Sequence, residues 1–169
     1  AKKTKCIDFH RKHTSTVQDV KITLGGEALK WYSDVVHLGH HFNCCLGFEK
    51  DIRFRKHQFI ECVNEICTEF GFAHPKCKAK LMQIYGSSFY GSNLWDMYSK
   101  EFSSLCKTWN VAIRRMYDLQ METHCRFLPN ICQKDHVNHM LKMSFVNFMV
   151  KNFYSKNEFV SYIAKKKLN

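Results

Sequence analysis

The chain has 169 residues, 45% hydrophobic and 14% aromatic, and its 26 Lys and Arg against 15 Asp and Glu give a formal charge of +11. That length holds one ordinary domain, the apolar share excludes a disordered chain, and no apolar run approaches the roughly 18 residues of a bilayer span. So large a cationic excess favours polyanionic partners, nucleic acid before anionic membrane, and it gathers at the ends: seven basic and three acidic side chains in 1–30, six and one in 140–169.

The first 45 residues have strand character. Lys5–Phe9 is short and partly alternating, and Val20–Trp31 holds two short runs around Gly25-Gly26, the signature of a hairpin with a primed turn. Asp34–Phe42 reads as one further extended segment, with Gly39 allowing a kink. From Glu49 the period turns helical: Ile52, Phe59, Val63, Ile66 and Phe70 make one apolar stripe, and Gly71 is a plausible stop. Pro75 suits a first helical position, with Leu81, Met82, Tyr85 and Phe89 on one face behind it. Phe89, Tyr90, Leu94 and Trp95 read as the packed corner before the next helix, with Gly91 permitting close approach. Ser99 is an N-cap candidate ahead of the regular stripe Phe102, Leu105, Trp109, Ile113 and Met116. After Pro129, Asp135 is placed to cap a helix with Val137, Leu141, Ser144, Phe145, Phe148 and Met149 inward, and a last helix runs from Asn157 into Lys165–Lys167. The expected fold is α+β and mainly α: a small N-terminal antiparallel β element, hairpin plus strand, over residues 1–45, then a bundle of four to five helices over 46–169.

Nine cysteines without a C-x-x-C pair read as reduced thiols of an intracellular protein, in nucleus or cytoplasm and not secreted. The opening AKKTKC, lacking an initiator Met and a charged-then-apolar leader, adds the expectation of a fragment or processed piece.

The order of five stretches carries a resemblance: KKTKCIDF, ITLGGEALKWYSDVVHLGHHF, DIRFRKHQFIECVNEI, IYGSSFYGSNLWDM and WNVAIRRMYDLQMETH. Together they resemble the C-terminal part of non-LTR (LINE-type) retrotransposon reverse transcriptases, from about Lys3 to about Ala164. The resemblance implies that 1–45 correspond to the last strands of the polymerase palm and 46–169 to the helical thumb and the helices after it. It implies that Lys3 is the proton donor to departing pyrophosphate within an intact polymerase. It also implies that His37, Leu38, Gly39 and His40 lie on the strand that helps hold the primer end, and that Trp109, Asn110, Arg114 and Arg115 form the thumb's WNxxxRR stretch. Gln120 stands where the family has proline, while Thr123 and His124 are kept.

Polymerase chemistry needs closely placed carboxylates for two divalent cations, Mg2+ in the parent enzyme. No D-D or D-x-D pair occurs here, and Asp8 and Asp34 have no carboxylate close by in sequence. The chain alone is therefore expected to be catalytically inert and to bind no cofactor. Its expected partners are an RNA template paired with a DNA primer and the upstream palm and fingers of the same polyprotein, with no membrane. The alternative is a non-catalytic helical protein-interaction module derived from a retroelement.

A thumb grips a duplex through its phosphates. Arg114 and Arg115 lie off the apolar stripe of their helix, Lys107 shares the Arg114 flank, and Lys76 and Lys80 share a face. The blander reading of each is a solvated helix surface. Cys125, Cys132, His136 and His139 offer zinc two thiolates and two imidazoles, although their first spacing is wider than the usual C-x(2–4)-C. HLGHHFNCC is equally rich in ligand atoms, but an extended strand would split them between two faces.

Overall fold

The structure is a computed structural model that describes residues 4–10 and 20–166. It is α+β and mainly α: two antiparallel hairpins followed by six α-helices among the described residues. Strands β1 (Thr23–Leu24) and β2 (Glu27–Ala28) pair across Gly25 and Gly26. Both glycines have positive φ, 61° and 82°, as the expected primed turn demands. Strands β3 (Asp34–His37) and β4 (His40–Asn43) pair in register from Asp34↔Asn43 to His37↔His40. The single extended segment expected over 34–42 is thus corrected to a second hairpin. Its turn places Leu38 at φ 49° and Gly39 at φ 78°. Leucine is a poor turn residue in that region, so Gly39 alone carried the turn signal. Residues 4–10 join through a bridge between Cys6 and Trp31, and the His10 amide donates to the Cys44 carbonyl at 2.9 Å.

Helix α1 (Glu49–Glu69) buries Ile52, Phe59, Val63 and Ile66; Phe70, expected at the end of that stripe, is the exposed C-cap. Helix α2 (Pro75–Leu81) starts with proline in its first turn, and the His74 ring accepts from the Lys76 amide at 3.2 Å. It runs on into a π turn over Met82–Gly86, where Met82 is buried and Tyr85 exposed. Helix α3 (Lys100–Met116) is capped by Ser99, whose hydroxyl accepts from the Phe102 amide, and all five residues of its expected stripe are buried.

Arg53 meets Glu101, Lys56 meets Ser104, Arg115 meets Asn64 and Cys67 meets Met116. Partner numbers rise together, so α1 and α3 lie side by side and parallel. Between them Phe59 stacks on Trp109 at 5.4 Å. Burial of side chains this size stabilises by about 1.5–3 kcal/mol each. Helix α4 (Leu128–Cys132) is one short turn. Helix α5 (Val137–Phe153) is capped by the His136 ring, where Asp135 was expected, and Asn157 caps α6 (Glu158–Lys166) through its side-chain oxygen. Of the inward set expected on α5, Val137 and Leu141 are buried, Phe148 and Met149 half-buried, and Ser144 and Phe145 exposed.

Candidate nucleic-acid interface

The site begins where the β hairpin meets α1. Asp51, in the first turn of α1, is fully buried. Its Oδ2 accepts from Trp95 Nε1 at 2.8 Å and lies 3.4 Å from His40 Nδ1, and its Oδ1 accepts from the His41 amide at 3.2 Å. His40 is 6% exposed and stacks on Tyr90 at 4.8 Å. Gly91 has φ 76°, and a Cβ there would occupy the space of the His40 ring. This explains the phrase FYGSNLWD. Its glycine makes room for an imidazole, one tyrosine lies over that imidazole, and its tryptophan reaches the carboxyl group beneath. Phe89 and Trp95 pack as expected, while Tyr90 and Leu94 keep exposed faces.

His40 is enclosed by Asp51, Tyr90 and Gly91. His37, Leu38 and Gly39 form the exposed tip of the β3–β4 hairpin, held to α1 by Arg55, whose guanidinium donates to the Gly39 carbonyl at 3.0 Å. Lys50 anchors the other end, 2.7 Å from Asp34, and its ammonium hydrogen bond holds the Asp34 carboxyl below its ordinary range. Lys3 lies outside the described residues.

The expected cations divide into two groups. Arg114 donates from Nε and Nη2 to the Thr123 carbonyl, at 3.0 and 2.6 Å, and Arg115 donates to the Asn64 side chain. Arg114 therefore braces the 117–124 turn, in which Leu119 donates to the Arg114 carbonyl and Thr123 to that of Gln120. Lys78, which the sequence pattern did not single out, is 5% exposed with Nζ 3.8 Å from Asp118 Oδ2. Its half-turn offset from Lys76 and Lys80 was the available signal. Lys76, Lys80 and Lys107 are exposed and take part in no ion pair among the described residues.

The Cys125–His139 group does not assemble, since no three of its donor atoms lie within 4.8 Å of one another. The reason is local. His136 accepts from the Asn138 amide through Nδ1 and pairs with Asn110 Oδ1 through Nε2 at 2.9 Å, and burial lowers its pKa. The Cys132 thiol donates to the Pro129 and Lys134 carbonyls. Asn110 of the WN pair thus serves helix α5. The sequence also contains Glu49-x-Asp51, but the Asp51 oxygens are occupied as described. Burial pushes the Cys106 thiol up to about 11 and those of Cys62 and Cys132 upward too, the opposite of an activated nucleophile.

A cleft of about 1060 Å³ lies between the start of α1, the Asn93–Asp96 turn and α5, lined mainly by apolar side chains such as Phe48, Leu94, Phe145 and Phe153. No helix of the described residues is long and apolar enough to cross a membrane. Compared with known proteins, the chain matches no family model, no curated protein and no solved structure.

Proposed function

We propose that this chain is the thumb, with the last palm strands attached, of a LINE-type reverse transcriptase, and that it grips a template–primer hybrid duplex without catalysing on its own. The observation that carries the reading is the division of the cations. Arg114, Arg115, Lys78, Arg55 and Lys50 hold the fold together, whereas Lys76, Lys80 and Lys107 face outward without a partner carboxylate among the described residues. Outward, unneutralised ammonium groups on helices suit a sequence-independent hold on phosphates. The motifs of the resemblance are also physically coupled: His40, Asp51, Gly91 and Trp95, from three of the five stretches, meet in one buried cluster. Mg2+ belongs to the parent enzyme's upstream carboxylates under this reading. Fluorescence anisotropy with a labelled RNA–DNA hybrid tests it. Binding at low salt that competing unlabelled hybrid displaces supports the reading, and a flat titration ends it.

A second reading, a protein-interaction module, is favoured by exposed Val146 and Val150 on α5 and Phe159 and Tyr162 on α6. Its natural occupant is a second copy of the chain, and sedimentation showing a monomer at all concentrations removes it.

A further inference from the structure

We propose that His10, Cys44 and Cys45 form a binding site for one zinc ion, which clamps the N-terminal segment onto the end of the β3–β4 hairpin. Among the described residues this is the one trio of potential ligands whose donor atoms all lie within 4.8 Å. The two sulfurs are 3.8 Å apart, and Cys45 Sγ lies 4.0 Å from His10 Nε2. A tetrahedral zinc with Zn–S of about 2.3 Å and Zn–N of about 2.05 Å separates two sulfurs by about 3.8 Å, and sulfur from nitrogen by about 3.6 Å. The two sulfurs therefore stand at ligand spacing and Cys45 Sγ within about 0.4 Å of it from His10 Nε2, with all three donors inside 4.8 Å.

The backbone explains why adjacent cysteines converge. Past Asn43 the strand ends, because the Asn43 side-chain oxygen accepts from the amides of Cys45 and Gly47 and Leu46 turns to φ 55°. Strand alternation, which would separate the thiols, no longer applies. The His10 amide bond to the Cys44 carbonyl brings the imidazole alongside. The far ring nitrogen, His10 Nδ1, is buried without a hydrogen-bond partner among the described residues, and Asp8 Oδ2 lies 3.8 Å away. A ring bound to metal through Nε2 carries its proton on Nδ1, facing that carboxylate, which is the usual arrangement behind a zinc-bound histidine. A hairpin of four residues per strand is marginal in water alone, so a metal that ties its end to the N-terminal segment has a structural role to fill. Three protein ligands leave a fourth tetrahedral position, which a water molecule can take.

The test loads the reduced 169-residue chain with Co2+ and follows its absorption. One equivalent of cobalt should give a thiolate-to-metal charge-transfer band with intense tetrahedral ligand-field bands, and Zn2+ should bleach both. Cys44→Ser with Cys45→Ser should abolish the charge-transfer band and weaken zinc binding at least about a hundredfold, and Asp8→Asn should weaken it about tenfold. Cys125→Ser with Cys132→Ser should change neither. If the cysteine double variant loses its helical circular dichroism, His10→Ala takes its place and must weaken binding and shift the ligand-field bands. Octahedral cobalt in the unmodified chain, a charge-transfer band that survives the double variant, a Cys44–Cys45 disulfide under reducing conditions, or an unmoved His10→Ala spectrum would each overturn the assignment.

Discussion

Helices α3 and α5 have the same length, 17 residues, and opposite fates. Six residues of α3 are buried, from Phe102 to Met116, whereas α5 buries Val137 and Leu141 and leaves Met143, Phe145, Val146 and Val150 exposed. Composition does not explain the difference, because α5 is rich in Met, Phe and Val. Arrangement does. In α3 the apolar residues recur on one stripe that packs inward, with Lys, Arg and Asn on the other faces, where Asn110 and Arg114 reach neighbouring segments and Lys107 meets water. In α5 they surround the helix, and the chain supplies partners for only part of that surface. Periodicity therefore reports how much of a helix its own chain covers.

Substitutions break or sharpen this contrast. The largest effect is expected at Trp109, stacked on Phe59 in the α1–α3 seam: Trp109→Ala should lower unfolding free energy by about 4 kcal/mol in chemical denaturation. Next comes Gly91→Ala, which forces a methyl group into the His40 ring at a positive φ and should remove about 3 kcal/mol. On α5 the prediction reverses. Val146→Ser with Val150→Ser should change stability by no more than about 0.5 kcal/mol, while any self-association seen in sedimentation should fall.

The smallest effect is a pH dependence at the start of α5. His136 accepts the Asn138 amide through Nδ1, so a second proton on the ring would remove that cap, in agreement with the lowered pKa that burial imposes. The unfolded chain then binds more protons than the folded one just below the ordinary histidine value of 6.5. The contribution is complete above that value and is lost as pH falls from it through the lower folded-state pKa. Thermal melts at descending pH should show the loss, and His136→Gln should flatten that part of the profile.

Much of the fold was legible in the sequence, and the exceptions have identifiable causes. The Gly25-Gly26 turn, the Ser99 cap and the α3 stripe depend on residues close in sequence, and each formed as expected. The β3–β4 turn was hidden because Leu38 occupies a conformation that leucine rarely signals. The His40–Asp51–Trp95 cluster joins β4, the start of α1 and the turn before α3, a separation over which no local pattern operates. The roles of the cations divided in the same way. Sequence spacing set Lys76 and Lys80 on one face, but only the folded chain shows Arg114 closing the Thr123 turn and His40 enclosed.

The most direct test of the central claim is the salt dependence of hybrid binding, measured for the unmodified chain and for a Lys76→Ala, Lys80→Ala, Lys107→Ala variant. Each phosphate contact contributes a slope of about 0.9 in the logarithm of affinity against the logarithm of salt. The triple variant should therefore bind more weakly and lose about 2.7 of the slope while keeping its stability, since all three side chains are exposed. An unchanged slope, with hybrid held as tightly as before, would contradict the account.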